Sequence, residues 1–140
     1  GEMGWSALNT SEITSLLREA KSVAIVGVSD KSIRPSHGVA RYLLENSHFN
    51  LYFVNPALDE LFGQKVYKSI SDIPVAIDIV DVFRRAEDCA EVTNEAIALG
   101  AKALWFQLGI VVPELAELAH AAGLEVVMDR CIKIDYEIVN

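Results

Sequence analysis

Residues 23–38 read VAIVGVSDKSIRPSHG. A continuous β-branched run breaks at Gly27, crosses a polar turn that carries Lys31 and Arg34, and enters a helix for which Ser36 is the expected N-cap. A strand covered on both faces, followed by a glycine turn and a helix N-terminus, is how a Rossmann-type sheet presents backbone N–H groups to a phosphate. The loop lacks the second and third glycines of G-x-G-x-x-G, so it is a phosphate site of a different make.

Outward from this stretch, Asn9 or Thr10 can cap a first helix, Glu12 stands three residues after Asn9 as a capping box requires, and Ile13, Leu16 and Leu17 give the helix one apolar stripe. After the loop helix, which runs to about Ser47, residues 51–54 form a second strand that Asn55-Pro56 ends. Residues 57–74 are irregular, with a turn at Gly63, a short extended piece over 65–67 and one helical turn near Ser71-Asp72. A third strand is expected over 77–83, with Asp78 and Asp81 inside it on opposite faces and Asp81 bonded to a loop N–H. A helix over 86–99 then buries Val92, Ala96 and Leu99 and ends at Gly100. A fourth strand over 103–106 leads to a helix that opens at Pro113, buries Leu115, Leu118, Ala119 and Ala122, and closes at Gly123; a fifth strand spans 126–128. Alternation of this kind predicts an α/β fold: a single Rossmann-like domain with a five-stranded parallel sheet, order 3-2-1-4-5, and helices on both faces. Residues 1–20 are expected to be a tag remnant followed by a peripheral helix, and residues 21–140 the domain itself.

The chain has 140 residues, 51% of them hydrophobic, enough for one compact core. Twelve Lys and Arg stand against 20 Asp and Glu, a formal net charge of -8 that disfavours a nucleic-acid partner. An anionic ligand therefore needs a local island of cations, which Lys31, Arg34 and His37 supply. No apolar run reaches the ~20 residues of a membrane span. The expectation is a soluble cytoplasmic protein without a membrane partner. Two cysteines and three scattered histidines lack metal-ligand spacing, so no metal is expected.

The segments that face the crevice carry the chemistry. Gly27, Val28, Ser29, Asp30, Lys31 and Ser32 form the turn, and Arg34, Pro35, Ser36, His37 and Gly38 form the helix entry. A nicotinamide enzyme places Asp or Glu at the end of the second strand to hold the ribose, whereas this chain has Val54, Asn55 and Pro56 there. At the end of the third strand, Val82, Phe83 and Arg84 offer an apolar wall and a cation; Phe83 is either a nucleotide contact or core. Cys131 after the last strand is either a reactive thiol or a core residue. Neither a nucleophile elbow nor a P-loop is present, so a binding module without catalytic residues of its own is expected. A nicotinamide-dinucleotide redox enzyme or sensor is the alternative.

The blocks GVSDKSIRPSHGVARYLLE from Gly27, FVNP from Phe53, GQKVYKSISDIP from Gly63, DVFRR from Asp81, AKALWFQLG from Ala101 and VVMDRCIKI from Val126 resemble the CoA-binding domain family. These are small stand-alone proteins similar to the N-terminal domain of the succinyl-CoA synthetase alpha subunit. The resemblance implies coenzyme A or an acyl-CoA as ligand, its phosphates on residues 28–32 and the helix at Ser36. Val54, Asn55 and Pro56 would then border the nucleotide, with Val82, Phe83 and Arg84 as the neighbouring wall and Gln107 and Gly109 on the pantetheine side. The synthetase's phosphohistidine belongs to a following domain, so synthetase activity by this chain alone is not implied; a homo-oligomer or a partner subunit is an open expectation.

Overall fold

A computed structural model describes residues 4–139. Its sheet has seven strands: β1 (Ser22–Val26), β2 (Asn50–Val54), β3 (Glu60–Leu61), β4 (Gln64–Tyr67), β5 (Ile79–Val82), β6 (Ala103–Phe106) and β7 (Glu125–Met128). The spatial order is β3-β4-β2-β1-β5-β6-β7, all pairs parallel except β3 with β4. The expected five-strand order is therefore corrected. The third expected strand, β5, lies directly beside β1, and the short extended piece over 65–67 is a true strand that takes the place beyond β2. It pairs Phe53 with Val66 and Val54 with Tyr67. Only Val66 of its four residues is buried, which is why its pattern is faint. With β3 it forms a two-strand hairpin where a crossover helix would normally stand.

Helices α1 (Thr10–Glu19), α2 (Pro35–Asn46), α3 (Ala90–Leu99), α4 (Pro113–Ala121) and α5 (Ile132–Val139) cover the two faces. Strand alternation sorts the core cleanly. Val23, Ile25, Phe53, Ile79, Trp105 and Val127 pack with α1, α2 and α5, whereas Ala24, Val26, Val80, Val82, Leu104, Phe106 and Val126 pack with α3 and α4. All of β1 is buried, as its unbroken β-branched run requires. The capping box at Asn9 and Glu12 forms with 2.8 and 2.9 Å bonds, and α1 buries Ile13, Leu16 and Leu17.

Several local expectations change. The helix expected over 86–99 begins as a 3-10 turn at Ala86–Asp88 before α3, and Leu99 is half exposed because α3 ends there at Gly100 in the left-handed region. On α4 the buried residues are Ala116 and Ala119; Leu115 is half-buried, Leu118 is exposed and so is Ala122, which lies past the helix end. Asp78 precedes β5 rather than lying in it, and its Oδ2 accepts from Lys21 and Ser22 N–H at 2.7 and 3.2 Å. Asp81 does lie in β5, on the face of Ile25 and Trp105, but both its oxygens are fully buried with no hydrogen-bond partner among the described residues, so the expected bond to a loop N–H is not formed there. Burial alone holds its pKa well above the carboxylate range. No helix among the described residues is long and apolar enough to cross a membrane.

Candidate functional site

The reversal of chain direction lies between β1 and β5, and a cleft of about 610 Å³ opens there at the carboxyl ends of β1, β5 and β6 and beside the start of α5. Gly27 has φ +85°. A Cβ placed on it would lie 2.2 Å from the carbonyl oxygen of Phe83, so the β1 turn and the β5 turn touch through a residue without a side chain. Gly27 N–H donates to Val54 O at 2.8 Å, and Phe83 N–H donates to Val26 O at 2.8 Å, fixing the three strand ends together.

The loop beyond Gly27 is held from inside. Ser36 is buried and its Oγ accepts from Ser29 N–H at 2.9 Å, while Ser29 Oγ accepts from Lys31 N–H at 3.0 Å. This corrects the expected cap: α2 starts at Pro35, two residues earlier than a Ser36 cap implies, Arg34 occupies the N-cap position without a side-chain cap bond, and the Ser36 hydroxyl serves the loop. Asn55 Nδ2 donates to Val28 O at 2.8 Å and its Oδ1 accepts from Ala57 N–H at 2.8 Å. Both ends of this side chain are thus committed at the position where a dinucleotide enzyme keeps its ribose carboxylate.

The opposite wall is equally braced. Gln107 is buried and its Oε1 accepts from Ile132 N–H at 3.1 Å, at the first turn of α5. Asp129, at φ 60°, accepts from Gly109 N–H at 2.7 Å. Arg130 makes two 2.7 Å bonds to the buried carboxylate of Asp135, which raise the guanidinium's pKa, and its carbonyl accepts from Trp105 Nε1–H at 2.8 Å.

Of the residues expected to bind, Gly27, Ser29, Lys31, Arg34, Pro35, Ser36, Phe83, Arg84, Gln107 and Gly109 line this cleft. Val28 and Val82 are core. Asp30, Ser32 and Gly38 are exposed and stand outside the lining, and His37 packs against the Phe62 ring at 4.9 Å. Val54 and Pro56 line a separate depression that shares only Arg84 and otherwise carries Lys68 and several carboxylates. Val39, Arg85, Leu108, Ile110 and Ile134 also line the cleft and were not among the residues expected to bind. Cys131 also lines it, half-buried, while the Cys89 thiol is buried and pushed up to about 11, mainly by burial.

Charge is concentrated on one side of the cleft. Lys31, Arg34 and Arg84 have no ion pair among the described residues, while Arg85 is tied to Asp88 at 3.0 Å and Glu87 at 3.9 Å. Three free cations, a glycine turn and a helix N-terminus surround the same space. Among the described residues no group of His, Cys, Asp or Glu is placed to hold a metal ion.

The family model for the CoA binding domain matches residues 21–137. The chain belongs to the CoA-binding domain family. It is 36% identical over 130 residues to the uncharacterized protein YneT of Bacillus subtilis (strain 168), covering 93% of this chain and 96% of YneT. A solved structure of a hypothetical protein from Pyrococcus horikoshii OT3 superposes with a TM-score of 0.90 at 37% identity, over 94% of this chain and 92% of that one. The acetate–CoA ligase [ADP-forming] II subunit alpha of Pyrococcus furiosus is 24% identical over 130 residues, covering 81% of this chain and 27% of the subunit. The CoA-binding domain is thus similar to one segment of a CoA ligase subunit and to small proteins of its own length.

Proposed function

We propose that this CoA-binding domain holds coenzyme A, free or acylated, in the cleft between the 27–36 loop and the 107–110 turn, with no catalytic residue of its own. The observation that carries this reading is the set of three unpaired cations, Lys31, Arg34 and Arg84, around a turn that requires glycine. A pyrophosphate there gains charge-assisted hydrogen bonds from the side chains and the partial positive charge at the start of α2. The committed Asn55 supports a ligand whose ribose is not gripped by a carboxylate, which sets coenzyme A before a nicotinamide dinucleotide. Two free cysteines accord with a reducing, cytoplasmic compartment. Likeness to part of a ligase alpha subunit supports association with a separate catalytic chain.

Calorimetry with coenzyme A, dephospho-coenzyme A and NAD tests the reading. Coenzyme A should bind with a Kd on the order of micromolar, about -8 kcal/mol. A hundredfold excess over Kd should stabilise the fold by about 2.7 kcal/mol. Tighter binding of NAD than of coenzyme A refutes it.

A further inference from the structure

The cleft changes chemistry from one end to the other. Its cations come from the turns after β1 and β5, the neighbouring strands at the reversal point. The other end is built from the turn after β6, two strand spacings from β1 or about 10 Å at ~4.8 Å per strand, and from α5, which packs against α2. There Leu108, Ile110 and Ile134 line the space. Leu108 is 65% and Ile134 52% exposed, although they arise from separate elements and face one concavity. Isolated exposed aliphatics are ordinary, but two that converge with Ile110 on a shared hollow form a patch with something to cover.

Charged groups near this end are occupied elsewhere. Residues 107–110 contain none, Asp129 accepts from Gly109 N–H at 2.7 Å, Arg130 and Asp135 are bonded to each other, and Lys133 Nζ lies 5.1 Å over the Tyr42 ring. A ligand anchored by phosphate on Lys31, Arg34 and Arg84 therefore extends its other end into a lobe lined by aliphatic side chains, with no charged side chain in that part of the lining. Free coenzyme A would set a thiol against that lobe and leave both aliphatics in water.

We propose that the preferred ligand is an acyl-CoA with an apolar acyl chain, the chain lying along Leu108, Ile110 and Ile134; this rests on the coenzyme A reading above. Complete burial of one methylene is worth about fourfold in affinity, and the open side of the cleft reduces this to roughly twofold per methylene.

The test is calorimetry with coenzyme A and its acetyl, butyryl, hexanoyl and octanoyl thioesters. Octanoyl-CoA should bind at least tenfold more tightly than acetyl-CoA. In Leu108→Ser and Ile134→Ser the ratio between octanoyl-CoA and acetyl-CoA affinity should fall to about three or less, whereas Ile138→Ser, exposed on the same helix but outside the cleft, should keep the wild-type ratio. If coenzyme A binds and the series is flat, the acyl inference is wrong while the coenzyme A reading stands; if no member binds, both fall. An equal loss of the ratio in Ile138→Ser would mark general adhesion to exposed apolar surface and overturn the proposal. A flat series together with a dimer that Ile134→Ser converts to monomer would assign the patch to a second copy of the chain instead.

Discussion

Replacing Gly27 with alanine tests the closest approach in the structure. The new Cβ would stand 2.2 Å from Phe83 O and 3.0 Å from Phe83 C, both backbone atoms that no rotamer change can move. Relief requires the β1 turn to part from the β5 turn, against the Val54 and Val26 carbonyl bonds that hold both ends. The φ of +85° adds about 1–2 kcal/mol of left-handed strain for any L side chain. Forced overpacking adds roughly 1–3 kcal/mol. The expected loss is about 2–5 kcal/mol out of a total stability on the order of 7–20 kcal/mol for a chain of this length. At about 2–4 °C per kcal/mol, Tm should drop by roughly 4–20 °C. Urea denaturation followed by circular dichroism measures the loss directly, and coenzyme A affinity should fall with it because the cleft floor has moved. Gly38→Ala is the internal comparison: it lies inside α2 with nothing within 4 Å of the added methyl, so it should gain up to about 1 kcal/mol. A Gly27→Ala protein as stable as wild type would refute the close-contact account of this turn.

Three further outcomes follow from the same geometry. Lys31→Ala and Arg34→Ala should each weaken coenzyme A binding by about 10- to 100-fold, the equivalent of ~1.5–3 kcal/mol, with little change in urea midpoint, since both are exposed and unpaired; unchanged Kd values in calorimetry would remove these cations from the site. Asp81 is held protonated in the fold while the unfolded chain ionises near pH 4, so the native state binds more protons and stability falls as pH rises above that point, by up to ~1.4 kcal/mol per pH unit until the folded pKa is reached. Asp81→Asn removes that slope and should be the more stable protein at pH 7, its advantage shrinking towards pH 4; parallel stability–pH curves would mean the carboxyl has a partner. Arg130→Ala leaves the buried Asp135 carboxylate without its two bonds and should cost about 1–3 kcal/mol, less than a fully buried pair because Arg130 is half exposed. In a double-mutant cycle, Asp135→Asn should recover part of that loss.

Much of this molecule was legible where one residue type has one physical use. The β-branched run of β1, the glycine at 27, the capping box at Asn9 and the left-handed stop at Gly100 were each readable because few alternatives satisfy the same backbone. The strand order was not. β4 buries one residue of four, so its pattern resembles a loop, and missing it left β5 expected beyond β2, on the wrong side of β1. Ser36 was visible as a helix-start residue, but its true partner, Ser29 N–H, is a loop amide that only the folded path brings near. Asp81 reads as an ordinary strand-end carboxylate; its isolation depends on helices contributed from elsewhere in the chain. The cleft's cations belonged to a motif, whereas its aliphatics at 108, 110 and 134 came from the turn after β6 and from α5, whose meeting is a tertiary fact.

The bond from Trp105 Nε1–H to Arg130 O gives the protein a built-in optical reporter. This indole is wholly enclosed, with the unpaired Asp81 opposite it in strand register, and its partner carbonyl immediately precedes Cys131 on the cleft wall. Emission from such a ring responds to its hydrogen bond and local field, so a ligand that shifts the corner at 130–132 will change its wavelength or yield. The second tryptophan, Trp5, donates instead to Val126 O, in the β7 strand away from the cleft, and substituting it with phenylalanine would leave a single tryptophan reading the cleft wall.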